Sequence, residues 1–315
     1  MRVVFMGYQT WGHRVLQALL NSRHEVVQVI THPESDHAYE TIWSDSVAGL
    51  ATERQLPLLV RKYANDDEVV ERMDELAPDI IVSSDWRTWL SSRVYGLARH
   101  GAINIHDALL PRYGGFAPLN WAVLNGEREV GVTVHFMNDE FDLGDIVLQQ
   151  RVPVREKDTV TDLFARTIEI FPEITLAALD LIEGGTTTWI RQDPSEATFF
   201  HKRSVEDSRI NWHWPADRLA NLVRAQSDPY PNAFAYHGAT RLRVTSASVS
   251  RKRYGGTPGR IFCPEGEGVV VVCGPEAHSG RDHGLVIERV RTEDGTEVPA
   301  RAYFRTMGGY LTSHP

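Results

Sequence analysis

Cysteine is nearly absent from this 315-residue chain, where Cys263 and Cys273 have no histidine or cysteine companion at short spacing. Such a pair builds neither a disulfide framework nor a zinc site, so reduced thiols and no metal are expected. No apolar run approaches membrane-spanning length, and 3–6 is too short for a signal-peptide core, which makes a cytoplasmic protein without a membrane partner the expectation. Basic charge is also in short supply, with 33 Lys and Arg against 42 Asp and Glu for a net −9. Proteins that grip nucleic acid draw most of their affinity from cations neutralising phosphates, so no nucleic acid is favoured as partner. The acidic excess lies ahead of Glu206, and the remainder is near neutral. Two nucleotide fingerprints are missing as well. Gly7 and Gly12 have the G-x-x-x-x-G spacing without a following Lys-Ser/Thr, and G-x-G-x-x-G does not occur, which disfavours nucleotide-driven and hydride-transfer chemistry.

What is present is ordinary globular material, 42% apolar and 24% charged, in a length that suggests two domains. A short apolar run at 3–6 is closed by Gly7. Val15, Leu16, Leu19 and Leu20 then recur at helical spacing, and 26–30 is β-branched again. Val69, Val70, Met73 and Leu76 mark a further helix stopped by Pro78, followed by strands at 80–82, 101–105 and 130–137. This alternation predicts an α/β domain with a doubly wound, mostly parallel, Rossmann-like sheet. One long helix is expected over 161–182, ended by Gly184. Residues 193–207 read as a polar linker between a catalytic domain, 1–192, and a C-terminal domain, 208–315. There Pro215 opens a helix, and β-rich runs at 233–236, 242–249, 260–263, 269–273, 285–290 and 298–304 suggest a small OB-like barrel.

The informative stretch is Gly101-Ala-Ile-Asn104-Ile-His106-Asp107-Ala-Leu-Leu-Pro111. Strand side chains alternate faces, so Asn104 and His106 share one face and Ile103 and Ile105 the other. Pro111 bars continuation as a central strand, which places His106 at the rim where open α/β sheets bind ligands. Taken alone, His106 reads as a histidine satisfied by backbone. A second loop, 138–145, crowds Asp139, Glu140, Asp142 and Asp145 together, and most of these must be solvated or bound to backbone N–H groups. Gly144 offers a turn that could hold Asp142 still.

Asn104-Ile-His106, Leu-Leu-Pro-Arg-Tyr, Gly-Phe-Ala-Pro, Gly131-Val-Thr and Asp142-Leu-Gly-Asp145, with 38 positions from Asn104 to Asp142, resemble the core of the 10-formyltetrahydrofolate-dependent formyltransferases. The likeness extends through Ile210-Asn-Trp, Asp228-Pro-Tyr-Pro-Asn-Ala-Phe and Thr257-Pro-Gly-Arg to the C-terminal domain. It implies 10-formyltetrahydrofolate as formyl donor and catalytic roles for Asn104, His106 and Asp142. Chemically, the Asn104 amide and a protonated His106 could donate to a tetrahedral oxyanion. Asp142 beside His106 would favour the charged imidazole and take the proton shed by the amine. By the same resemblance the pterin lies near the end of the 80–82 strand, which makes Ser84, Asp85, Trp86, Arg87, Asp139 and Glu140 the folate-side candidates.

For the acceptor, relatives that formylate methionyl-tRNA carry a basic insertion after the second strand. Here 31–40 is net acidic, and Pro111-Arg-Tyr-Gly114-Gly115 has glycine where those relatives have a second arginine. Ser84-Asp85-Trp86-Arg87 looks more like the sugar- and amino-acid-modifying members. Gly7-Tyr-Gln-Thr-Trp-Gly-His resembles the N5-hydroxyornithine formyltransferases of siderophore pathways. The expected partner is therefore a small-molecule amine or hydroxylamine, lined by Tyr8, Gln9, His32 and His37. Formylation of methionyl-tRNA or an amino sugar, hydrolysis of 10-formyltetrahydrofolate, and a non-enzymatic OB-type binding protein are the alternatives. Oligomeric state is not legible in these residues.

Overall fold

The computed structural model describes residues 1–37, 41–186, 188–274 and 283–315, so 38–40 of the acidic loop lie outside the described residues. The chain forms two compact units. The first comprises Met1–Pro118, Glu129–Pro153 and Phe164–His201; the second comprises Leu119–Arg128, Val154–Leu163 and Lys202–Pro315.

In chain order the first half contains β1 (Arg2–Gly7), α1 (Gln9–Leu20), β2 (Glu25–Thr31), α2 (Val47–Glu53), β3 (Leu58–Val60), α3 (Asp67–Leu76), β4 (Ile80–Ser84), α4 (Ser92–Tyr95), β5 (Ala102–His106), β6 (Gly114–Gly115), α5 (Pro118–Leu124), β7 (Glu129–Phe136) and β8 (Ile146–Pro153). After these come α6 (Val160–Thr167), α7 (Ile170–Glu183), β9 (Phe199–Phe200), α8 (Ala216–Ala225), β10 (Ala233–His237), β11 (Thr240–Arg253), β12 (Ile261–Glu265), β13 (Gly268–Val271), β14 (His283–Arg291), β15 (Glu297–Pro299), α9 (Ala300–Tyr303) and β16 (Leu311–Thr312).

The first unit's sheet has the order β3-β2-β1-β4-β5-β7-β8. The β1–β2, β2–β3, β1–β4 and β4–β5 pairs are parallel, whereas β5–β7 and β7–β8 are antiparallel. Connections run outward from β1 in one direction to β3 and in the other from β4, so the chain reverses between β1 and β4. The carboxyl ends of those two strands therefore border a crevice. Strand alternation divides the core. Val3, Phe5, Ile80, Val82, Ile103 and Ile105 pack beneath α1, α2 and α7, while Val4, Met6, Ile81 and Ala102 face Val69 and Met73 of α3 and Val94 of α4. Each fully buried side chain of this size contributes about 1.5–3 kcal/mol, which fixes the register and so the face on which Asn104 and His106 stand.

Local signals explain most element ends. Asp66 caps α3 by accepting the Val69 N–H, acidic Asp67 and Glu68 occupy its first turn, and Ala77 ends it in the left-handed region ahead of Pro78. Gly7 and Gly12 serve close packing, since a Cβ on Gly12 would lie 2.8 Å from the Gly7 carbonyl carbon. The expected helix over 161–182 is two helices, α6 and α7, interrupted at 168–169. Pro172 accounts for the break: it has no N–H for the carbonyl of residue 168, and its ring crowds that carbonyl.

In the second unit, β12-β13-β14-β11-β10-β16 form an antiparallel sheet, with β15 added beside β14. The expected strand over 298–304 stops at Pro299, after which Ala300–Tyr303 is helical. β12 and β16 share no ladder; a single bridge joins Arg260 to Tyr310. Among the described residues no helix is long and apolar enough to cross a membrane.

Candidate active site

Asn104 and His106 end β5 on one face, and the antiparallel register places His135 of β7 directly opposite Asn104, with Thr133 opposite His106. His135 is 2% exposed. Its Nδ1 lies 2.9 Å from the Phe136 carbonyl, which can only accept, so Nδ1 carries the hydrogen. Burial holds this imidazole below its ordinary value and therefore neutral, against the opposing pull of Asp142. The bare Nε2 then accepts from the Asn104 amide Nδ2 at 3.3 Å, which fixes the orientation of that amide. Asp142 Oδ1 stands 3.7 Å from the same Nε2, and Asp142 Oδ2 accepts the Gly115 N–H at 2.8 Å.

His106 is buried, and its Nε2 donates to the Tyr113 carbonyl at 2.9 Å. Nδ1 is thereby left as the ring atom without a hydrogen-bond partner among the described residues. Asp142 was expected beside His106, but the imidazole within 4 Å of it is that of His135. The loop between His106 and Gly115 is built rigidly. Thr133 Oγ1 donates to the Ala108 carbonyl and accepts from the Leu110 N–H, while Gln149 Nε2 reaches both Thr133 Oγ1 and the Leu110 carbonyl. Gly131 permits the seating of this loop, because a Cβ there would fall 2.4 Å from Leu109 Cδ2.

Asp142 has φ +53°, a left-handed conformation that strains a residue with a side chain, and Gly144 lies so close to β7 that a Cβ would be 1.7 Å from the Phe136 oxygen. The turn thus aims the Asp142 carboxylate back toward β5 and β7.

At the β1–β4 reversal a second group forms. Arg87 Nη2 donates to Gln9 Oε1 at 2.6 Å and lies 3.2 Å from Asp85 Oδ2, with the guanidinium 4.9 Å from the Tyr8 ring centre. His32 stacks on Trp86 at 3.9 Å and meets Tyr8 edge-on at 5.4 Å. The His32 Nδ1 hydrogen goes to the Arg61 carbonyl and its Nε2 accepts the Arg87 N–H, so both nitrogens hold backbone. Tyr8, Gln9, His32, Asp85, Trp86 and Arg87 are therefore one cluster. Asp139 is exposed and accepts the Tyr95 hydroxyl at 2.7 Å, while Glu140 and His37 are exposed. Ser84 Oγ and Trp86 Nε1 are buried without partners among the described residues.

A formyl transferase family model matches residues 1–179, and a formyl transferase C-terminal domain model matches residues 202–308. The chain belongs to the formyl transferase family. Among solved structures, HypX from Aquifex aeolicus in complex with tetrahydrofolic acid aligns at 21% identity and TM-score 0.59 over 96% of this chain and 47% of its own, so this chain spans about half of its length. An N-formyltransferase from Helicobacter canadensis, complexed with folinic acid and dTDP-3-aminofucose, aligns at 17% identity and TM-score 0.63 over 91% of this chain and 99% of its own. Methionyl-tRNA formyltransferase from Clostridium thermocellum aligns at 17% and 0.55 over 79% and 94%. At these identities the likeness is one of fold.

Three parts of this geometry escaped the sequence reading. His135 had a usable signal, since Thr133 and His135 alternate along a strand otherwise apolar. The Gly115 N–H and the residues that hold the 142–144 turn had none, because backbone donors and long-range side-chain contacts leave no local pattern. A cavity of about 940 Å³ in the second unit, walled by Trp121, Trp212, Trp214 and Tyr310 among others, contains none of the predicted site residues.

Proposed function

We propose that this chain transfers the formyl group of 10-formyltetrahydrofolate to a small amine or hydroxylamine, with N5-hydroxyornithine the acceptor that fits best. The observation that carries the reading is the Asn104 amide fixed by neutral His135, with the partnerless Nδ1 of His106 and the Asp142 carboxylate grouped around it. The orphaned Ser84 Oγ and Trp86 Nε1 and the adjoining loop residues Asp85 and Arg87, together with Asp139 and Glu140, would hold the folate. Bound there, the donor supplies the electrophilic formyl carbon.

The chain's own groups do the rest. One Asn104 N–H is engaged by His135, which leaves the second to meet the negative charge that develops on the attacked carbonyl oxygen. His106, its Nε2–H committed to backbone, can present a protonated Nδ1 to the same oxygen. Asp142 accepts the proton lost by the nucleophile, directly or through water, and can return it to the folate nitrogen as the bond between that nitrogen and the formyl carbon breaks and tetrahydrofolate leaves; the Gly115 N–H stabilises the carboxylate in between. Tyr8, Gln9, His32 and His37 remain the proposed acceptor side, with His32 contributing through its stack on Trp86 because its nitrogens hold backbone. The acidic loop after β2 and the absence of an excess of basic residues support a small molecule over tRNA. Backbone bonds from Leu311 to Gly259 and from Ile261 to Gly309 support an OB-like closure of the second sheet.

Incubation with 10-formyltetrahydrofolate and a panel of hydroxyornithine, ornithine, amino sugars and charged methionyl-tRNA tests this, with the formylated product read by mass spectrometry. Formylation of tRNA alone overturns the acceptor assignment. Formate release without any acceptor identifies a hydrolase, and an unchanged rate in His106→Ala removes that residue from the chemistry.

A further inference from the structure

Residues 192–200 follow the last helix of the first unit, and from 193 on they read in the sequence as the start of a linker. Their contacts are more specific than that. Gln192 is 5% exposed, and its Nε2 donates to two carbonyls, those of Asp142 at 2.8 Å and Gly144 at 2.7 Å. The amide orientation follows, since a reversed amide would set its oxygen against both carbonyls. Its Oε1 is consequently buried with no partner among the described residues. Leaving a buried acceptor unmet is destabilising, so what Gln192 gives in return is two donors delivered to one turn.

That turn is the one that needs them. Asp142 is held left-handed, Gly144 is pressed against β7, and both backbone carbonyls converge on one side chain. Without the amide, the Asp142 and Gly144 carbonyls lose these donors and the turn resists less the relaxation of residue 142 toward an ordinary conformation, which would swing its carboxylate away from His135 Nε2. The same segment grips the facing loop. Thr198 accepts the Tyr113 N–H through Oγ1 at 2.9 Å and the Gly114 N–H through its carbonyl at 2.8 Å, and β9 pairs in parallel with β6. Tyr113 supplies the carbonyl that takes the His106 hydrogen, and Gly115 supplies the N–H that holds Asp142.

We propose that Gln192 is a positioning residue for formyl transfer, whose amide clamps the 142–144 turn so that the Asp142 carboxylate stays aimed at the nucleophile. The inference rests on the proposed role of Asp142 as proton acceptor. The test uses the full chain with Gln192→Met, of similar volume but without donors, Gln192→Glu, and Asp142→Asn as reference. Steady-state kinetics, folate affinity and thermal unfolding are measured on each. Gln192→Met is expected to lower kcat at least about tenfold while leaving KM and the affinity for the folate within about twofold, because the clamp serves the chemical step and not binding. Gln192→Glu is expected to recover kcat as pH is lowered, since a protonated carboxyl again offers a donor to the turn, a response that loss of folding would not produce. Wild-type kcat in Gln192→Met, or a loss that matches the fraction of protein unable to bind folate, overturns the clamp. If Asp142→Asn is inactive while Gln192→Met is unimpaired, only the clamp fails; full activity in Asp142→Asn overturns the role of Asp142 and the clamp with it.

Discussion

The hydrogen bond between Asn104 and His135 makes a quantitative demand on a double-variant cycle. Asn104→Ala deletes an amide donor from the site of developing charge. Losses of such donors typically cost about 10²–10³ in kcat, or about 2.7–4 kcal/mol. His135→Leu keeps the amide but frees it to turn, so the loss is that of one orienting neutral hydrogen bond at 3.3 Å, about 0.5–1.5 kcal/mol. At 1.36 kcal/mol per factor of ten this is about a two- to thirteen-fold drop. If His135 acts through Asn104, the double variant should be no slower than Asn104→Ala alone, and the interaction energy of the cycle should equal the whole effect of His135→Leu. Single-turnover formyl transfer at saturating donor and acceptor gives the four rates, with thermal unfolding of each protein measured alongside. Multiplying losses would refute the reasoning, for they would mean that His135 handles a proton with Asp142 independently of the amide.

Burial pushes the Asp107 carboxyl up to about 7, against the Trp11 indole N–H that donates to it at 3.2 Å. A carboxyl whose folded value lies above its unfolded one holds its extra proton between the two. Its stabilisation is therefore complete below about 3.8 and is lost as pH rises through about 7, at up to about 1.4 kcal/mol per pH unit. Hydrogen exchange or thermal unfolding of Asp107→Asn from pH 5 to 8 should lack that slope, and curves parallel to wild type would contradict it. Gly144→Ala places a methyl 1.7 Å from the Phe136 oxygen, so the turn must move; about 1–3 kcal/mol of stability and about two orders of magnitude of kcat should be lost together. An alkylamine with a pKa near 10.4 is neutral to only about one part in 2,500 at pH 7. Its kcat/KM should therefore climb about tenfold per pH unit between 6 and 9 while a hydroxylamine acceptor stays flat, and parallel profiles would argue against Asp142 as a weak base.

Much of the α/β order of the first unit was readable where an element carries its own signal: the β-branched runs at 3–6 and 80–82, the periodic Val69, Val70, Met73 and Leu76, and the stop at Pro78; α2, β3 and β8 were not expected. In two places where the reading failed, a proline had been passed over. Pro172 splits the helix expected over 161–182, and Pro299 converts the end of a strand into a helix start. Periodicity counts side chains and is blind to a missing N–H, which acts through the carbonyl four residues earlier. The antiparallel turn taken by β7 and β8 was equally invisible, since strand direction depends on how the connection 107–128 packs and not on any residue within the strands.

The site divides along the same line. Asn104 and His106 share a face by the period-two rule alone, and that much needs no coordinates. Their chemistry depends on hydrogens, and hydrogens are assigned by partners far away in the chain. The Phe136 carbonyl makes His135 an acceptor, the Tyr113 carbonyl makes His106 Nε2 a donor, and the Gln192 amide holds the turn that aims Asp142. Two of these three assignments are made by backbone oxygens, which any residue type provides. A sequence can therefore name the side chains that meet at a carbonyl carbon, while which of their atoms donate and which accept is decided by the placement of the backbone oxygens of residues 113 and 136, which a side-chain motif does not encode.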